Sequence, residues 1–292
     1  MREVVDELIE ERAPWLRRQG RGVPLVRSLL HSVLQYERTV RIGEALEPMP
    51  GAAAMQSLYE MIALHVEVTG LENVPLTGPA MVIANHPTGI ADGIVLFGAL
   101  AQRRPDLFIF ANADAIRVLP SLGDLIAPVE WRPERRTHKQ NRETMDYART
   151  AFAAGRLAVL FPSGRLAKRT WWWLNERPWM ASGAMMARKF NLPVIPLHVT
   201  ARNSALFYLF DRIHPTLRDI TLFHEVLNKT RQRYRLTIGK PIDPETLPAG
   251  SAEAIEVMRA KTLELGGVKP QSVLTAPVYG RPDRLKPARL GV

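Results

Sequence analysis

The sequence predicts an α/β fold: a mostly parallel, mixed sheet flanked by helices, with an N-terminal helical hairpin ahead of it. Three observations predict it. From Leu64 onward, strand-like runs alternate with helix-length stretches in the order β-β-α-β-α-β-α-β. Most of those runs are continuously apolar, as strands buried on both faces are. Before Leu64 the apolar spacing is helical instead.

Residues 1–63 form the first region. In "PLVRSLLHSVLQYERTVRIGEAL" the apolar positions Val26, Leu29, Leu30, Val33, Leu34 and Val40 fall at helical spacing, and Arg27, His31, Gln35, Arg38 and Arg41 supply a polar face. Pro48 to Gly51 punctuates the end of that helix, and "AAAMQSLYEMIAL" starts the next. The pair reads as a cover for the core, or as a basic amphipathic hairpin that also touches a bilayer surface. Residues 64–266 form the α/β domain. "LHVEVTG" alternates with period two, and "AMVIAN", "LFIFAN", "RLAVLFP" and "LPVIPLHV" are the buried strands. Helix-length stretches such as "GIVLFGALAQRR", "NRETMDYARTAFAAG" and "MASGAMMARKFN" lie between them. A late alternating strand, "RYRLTIGKPID", is expected to join antiparallel at an edge. Residues 267–292, rich in Pro, Gly and Arg without a period, read as an extended basic C-terminal arm.

Composition narrows the function classes. With 292 residues, 46% of them hydrophobic, the chain can bury a large core. It contains no cysteine, which excludes a disulfide scaffold, a thiolate metal site and a cysteine nucleophile. The net charge of +10 points to a polyanionic partner: nucleic acid, an anionic membrane surface or a phosphate-bearing substrate. The cations are spread along the chain and no nucleic-acid-binding motif occurs, so nucleic acid is not an expected partner. No run of eighteen apolar residues and no secretory signal is visible, so a cytoplasmic protein, peripheral on the inner face of the cell membrane, is expected. No metal-ligand cluster is visible either, and no cofactor is expected.

Chemistry gathers at "VIANHPTGIADG". A strand ends in Asn85-His86, Pro87 and Gly89 shape a loop, and Asp92 arrives six residues after the His at the start of a helix. Ligands of open α/β sheets gather where strands end and loops begin. A carboxylate across a tight loop can hold one imidazole nitrogen and leave the other free to take a proton. No Ser or Cys is adjacent to act as nucleophile, so the proton would come from a substrate hydroxyl or amine. That spacing alone is weak, because a His beside a Gly turn is structural more often than catalytic. A second strand ends in Phe161-Pro162-Ser163-Gly164-Arg165, with Lys168 and Arg169 behind it: a Gly lets backbone amides approach a ligand, and the cations can bind phosphate. "NLPVIPLHV" is a proline-bounded strand that could wall an apolar groove. "WWWLNERPW" places three consecutive Trp where they cannot all face one core, and interfacial Trp suits lipid headgroups.

In this order the motifs resemble the glycerolipid acyltransferase family, the group that includes bacterial 1-acylglycerol-3-phosphate acyltransferase. Asn85, His86 and Asp92 match its first block, Phe161, Pro162, Gly164 and Arg165 its third, and Val194-Ile195-Pro196 its fourth. The resemblance spans roughly residues 64–245. It implies acyl transfer from acyl-CoA or acyl carrier protein to the hydroxyl of a lysolipid, such as lysophosphatidic acid or a lyso-ornithine lipid. His86 would be the general base and Asp92 its orienter. Asn85, Thr88, Gly89, Arg132, Phe161, Pro162, Ser163, Gly164, Arg165 and Lys168 would contact substrate. Backbone amides near Gly164 or in the 87–89 loop would hold the oxyanion. The chain departs from the family in three places. The gap between His and Asp is five residues rather than four, as in the hemolysin-like or lyso-ornithine-lipid subgroup. The usual Glu of the third block is Ser163. The second block, with its Arg on a strand, has no clean match, and Arg132, Arg135 and Arg136 in "LIAPVEWRPERR" compete for its phosphate-binding role. A non-catalytic lipid-binding protein on the same fold is the alternative reading.

Overall fold

The computed structural model describes residues 1–17, 23–130, 132, 135–267 and 271–272. Apart from Gly267 and a two-residue strand, the expected C-terminal arm lies outside the described residues.

The strands β1 (His65–Thr69), β2 (Ala80–Ala84), β3 (Phe108–Asn112), β4 (Ile126–Val129), β5 (Leu157–Leu160), β8 (Val194–Thr200) and β9 (Arg233–Ile238) form one sheet in the order β1-β9-β8-β2-β5-β3-β4. Every neighbouring pair is parallel except β8 and β9, so the sheet is mixed with a single antiparallel joint. This corrects the edge position expected for the late strand. β9 is antiparallel to β8, but it lies inside the sheet, and β1 takes the edge. β9 alternates buried and exposed residues because only one of its faces is covered. Strand β4, which the sequence did not reveal, closes the opposite edge.

Period two sorts the central strands into two core layers. Val82 and Ala84 of β2 pack with Val159 of β5 on one face, beneath α4 (Gly51–Ile62) and α5 (Ile90–Ala101). Met81 and Ile83 of β2 pack with Ala158 and Leu160 on the other, beneath α7 (His138–Ala153), α8 (Ser182–Lys189) and α12 (Ser251–Glu264). Both faces being covered, β2 is buried at all five positions. Helix α4 approaches α5 closely at Gly98, where a Cβ would come within 2.0 Å of the Tyr59 ring.

The N-terminal region is richer than a hairpin. It contains α1 (Arg2–Arg12), α2 (Val23–Val33), α3 (Tyr36–Leu46) and α4. The helix expected across 24–46 divides at Gln35, which adopts a left-handed conformation with φ +54°. Nor does a boundary at residue 63 separate two cores, because Leu46, Ala54, Met55 and Ile62 belong to the same apolar layer as β2 and α5. Two insertions complete the fold. A hairpin of β6 (Lys168–Thr170) and β7 (Trp173–Asn175) follows β5, with β10 (Gln271–Ser272) paired antiparallel to β7. Three short helices, α9 (Ala205–Ile213), α10 (Pro215–Ile220) and α11 (Leu222–Leu227), link β8 to β9. Among the described residues no helix is long and apolar enough to cross a membrane.

Candidate active site

The parallel strands β2, β5 and β8 end along one rim of the sheet, and the candidate residues emerge there. Asn85 closes β2. Its Nδ2 donates to the Val199 carbonyl at 3.0 Å and its Oδ1 accepts from the Val199 N–H at 2.7 Å, so the amide splices the end of β2 to β8. His86 follows. Gly89 then turns the chain at φ +88°, where a Cβ would also press on Leu166 at 3.1 Å. Helix α5 begins at Ile90, and Asp92 sits in its first turn, fully buried.

Asp92 is the hub. Its Oδ2 accepts from the N–H groups of Thr88 at 2.8 Å and Gly89 at 3.0 Å, and its Oδ1 accepts from the Thr88 hydroxyl at 2.5 Å. These bonds cap α5 and suit a carboxylate at a helix N-terminus. The same Oδ2 lies 3.0 Å from Nδ1 of His86. The two atoms are within contact distance, although Nδ1 makes no aligned hydrogen bond. On its other side the imidazole stacks on Phe161, with centroids 4.3 Å apart. Behind the loop, the Tyr234 hydroxyl lies 3.2 Å from Thr88 Oγ1. Burial and the charge of Asp92 push the Tyr234 phenol far above its ordinary range, so it stays neutral. Deeper still, the buried Lys229 ammonium donates to Glu225 at 2.7 Å and to Asn203 Oδ1 at 2.8 Å, tying α11 to the end of β8.

Several residues expected to contact substrate are hydrogen-bonded within the protein. The side-chain polar atoms of Asn85 bond Val199, and Thr88 and Gly89 bond Asp92. In the 87–89 loop, where oxyanion donors are expected, Pro87 has no N–H and the next two amides face the carboxylate. Gly164, at φ +58°, gives its N–H to the Phe161 carbonyl in its own turn. Pro162 accepts from the Met180 N–H. Ser163 is buried and its hydroxyl donates to the Arg165 carbonyl at 2.7 Å. Arg165 and Lys168 are exposed beside this turn and stay available to an anion. Arg132 is not: its guanidinium meets Glu130 at 3.0 Å and Glu11 of α1 at 3.4 Å. Arg135 also pairs with Glu11, at 3.1 Å, and the Arg136 Nε donates to the Glu130 backbone carbonyl, so acidic groups meet two of the three candidates for a phosphate contact and a main-chain oxygen meets the third. No cluster of His, Asp and Glu with metal-binding geometry occurs among the described residues.

Glu176 lies in none of the three matched blocks of the sequence. It follows β7 and reaches the site from 90 positions away, where its Oε2 accepts the His86 backbone N–H at 3.1 Å. Its Oε1 accepts Trp179 Nε1 at 3.0 Å. No local spacing announces it.

Residues 65–200 match the family model described as Acyltransferase. Across most of its length the chain is also similar to two characterised enzymes. It is 27% identical over 228 residues to the lyso-glycine lipid O-acyltransferase of Phocaeicola vulgatus, covering 76% of this chain and 80% of that one. It is 25% identical over 265 residues to the enzyme of the same name from Bacteroides thetaiotaomicron, covering 86% and 94%. Together these likenesses support a lipid acyltransferase. A solved 1-acyl-sn-glycerophosphate acyltransferase, PlsC from Thermotoga maritima, aligns with a TM-score of 0.46 at 15% identity, over 93% of this chain and 100% of that one. The matched segment runs from β1 through β8 and thus includes His86, Asp92, Phe161 and Glu176. The acyltransferase's base candidate, its buried carboxylate and the 161–165 turn therefore all lie within the family domain.

Proposed function

We propose that this acyltransferase moves a fatty acyl group from a thioester, acyl-CoA or acyl carrier protein, to the hydroxyl of a lysolipid. His86 takes the acceptor's hydroxyl proton as the oxygen attacks the thioester carbonyl. The tetrahedral adduct collapses, the C–S bond breaks, and the leaving thiolate takes the proton back from the imidazolium. Asp92 stabilises the imidazolium between those steps. The observation that carries the reading is the fully buried Asp92 carboxylate 3.0 Å from His86 Nδ1, held by three hydrogen bonds from its own loop. General-base help of this kind contributes about 10²–10⁴-fold in rate.

Two observations favour an acceptor with an amino-acid headgroup over lysophosphatidic acid. Arg132 is already neutralised by Glu130 and Glu11, which argues against a phosphate clamp there. The relatives that share most of the chain carry the name lyso-glycine lipid O-acyltransferase. Peripheral docking on an anionic membrane surface is supported by exposed apolar side chains: Trp171 and Trp172 on the hairpin, Leu209 and Ile213 on α9, Leu25 and Leu29 on α2. The Arg169 guanidinium stacks between Trp172 and Tyr208 and so joins the hairpin to α9. The test incubates purified protein with labelled acyl-CoA or acyl carrier protein and a panel of lysolipids, beside His86→Ala. Acylation of a lyso-amino-acid lipid by the wild type and its loss in the variant is the expected result. If no lysolipid is acylated with either donor, the catalytic reading fails and a lipid-binding role on the same fold remains. Vesicle co-sedimentation of Trp172→Ser with Trp173→Ser checks docking, which is wrong if binding is unchanged in the folded variant.

A further inference from the structure

The turn after β5 carries an uncharged Ser163, yet the site is not short of a second carboxylate. We propose that Glu176 is a positioning residue for His86: contributed by the segment after the β6–β7 hairpin, it fixes the main chain of the base while Asp92 lies against its ring. The inference rests on the reading of His86 as general base.

The geometry is specific. One oxygen of Glu176 accepts the His86 N–H at 3.1 Å, two residues beyond the end of β2. The other oxygen accepts Trp179 Nε1 at 3.0 Å. Glu176 is itself anchored, because its carbonyl accepts from Arg259 of α12 at 3.1 Å and the Trp179 ring is buried among core residues. The segment is locked to the 161–165 turn as well, through the Met180 N–H on the Pro162 carbonyl. The His86 carbonyl accepts the Ala167 N–H at 2.8 Å, so the main chain of the base is held at both its polar atoms by residues beyond the third block. A carboxyl group serves here because its two oxygens accept two separate donors at once, which the single oxygen of an amide does not. Burial raises the Glu176 carboxyl pKa, and the Trp179 and His86 donors oppose that rise. Among the described residues, the charged or titratable groups around His86 are Asp92 on α5 and Glu176. Lys229 on the segment after α11 and Tyr234 on β9 sit behind Asp92.

Two variants test it. Glu176→Ala leaves the His86 N–H without its acceptor. Loss of sub-ångström placement of a reacting group costs up to about 10²-fold, so kcat should fall roughly 10- to 10²-fold with KM for both substrates unchanged. Glu176→Gln keeps the shape, but its amide has one acceptor oxygen for two donors that lie on different oxygens, so it should restore part of the lost kcat. Hydrogen exchange of the His86 amide gives a readout independent of turnover: it should be faster in Glu176→Ala than in the wild type and nearer the wild-type rate in Glu176→Gln. The proposal is overturned if kcat is unchanged in Glu176→Ala, if the loss lies wholly in KM, or if the His86 amide exchanges at the wild-type rate. A wild-type protein inactive on every lysolipid refutes the functional reading instead, while amide exchange still judges Glu176.

Discussion

Replacing Asp92 by Asn separates its two jobs, holding the loop and charging the site. With the Asn oxygen in the Oδ2 position, the amides of Thr88 and Gly89 keep an acceptor. The new NH₂ then faces the Thr88 hydroxyl, which can turn its proton toward Tyr234. The two backbone bonds fall from charge-assisted to neutral, a loss of about 1 kcal/mol each, or about 2 kcal/mol of stability. A domain stable by about 5–15 kcal/mol remains folded after that loss. Activity should suffer more. With no carboxylate beside Nδ1, the imidazolium that forms on proton transfer is unsupported. A loss in the range of about 10²–10⁴-fold, equivalent to about 3–6 kcal/mol at about 1.4 kcal/mol per tenfold, is the expected outcome. Asp92→Ala is a poorer probe: it strands two buried amides at about 1–3 kcal/mol each and confounds folding with chemistry. The assay pairs initial rates of acyl transfer with a thermal melt of the same preparation. Near-wild-type turnover in a folded Asp92→Asn protein would refute the base-and-orienter assignment, and so would a rate loss no larger than the unfolded fraction.

Two further outcomes follow from the packing. Burial lowers the His198 pKa from 6.5 to about 4, so below pH 6.5 the unfolded chain binds a proton that the native chain refuses. Stability should therefore fall as pH drops from about 6.5 to 4, by about 3 kcal/mol at about 1.4 kcal/mol per unit, then level off. Denaturant midpoints across that range should show a flatter slope for His198→Gln, and an identical slope would contradict the assignment. Gly98→Ala would drive a methyl to 2.0 Å from the Tyr59 ring. It should destabilise by about 1–3 kcal/mol despite the better helix propensity of Ala, with partial recovery in the double variant carrying Tyr59→Leu. An unchanged melting midpoint in the single variant would mean that α4 does not pack on α5 as described.

The elements that could be read directly were those whose partners are implied by their own composition. The continuous apolar runs of β2, β3, β5 and β8 announce burial on both faces, and the structure covers both. Strand β4 was hidden because four residues that include Pro128 carry too little pattern. The β6–β7 hairpin was hidden because strands of three residues, Lys168–Thr170 and Trp173–Asn175, are too short to show a period. The position of β9 inside the sheet depends on β1 pairing with it, a contact between residues 65–69 and 233–237 that no local signal encodes.

The site divides in the same way. His86 and Asp92 lie six residues apart on one tight loop, so backbone geometry alone brings them together, and the sequence by itself determined that pairing. It also determined that Phe161 and Gly164 would shape a turn at a strand end. Only the tertiary structure decided how the surrounding polar atoms are spent. Asn85 finds Val199, 114 residues away, and Arg132 finds Glu11, 121 residues away. Glu176 crosses 90 residues to reach the N–H of the base. Hydrogen-bonding capacity belongs to each residue type, but which donor exhausts which acceptor depends on packing between distant segments, and packing has no local signature.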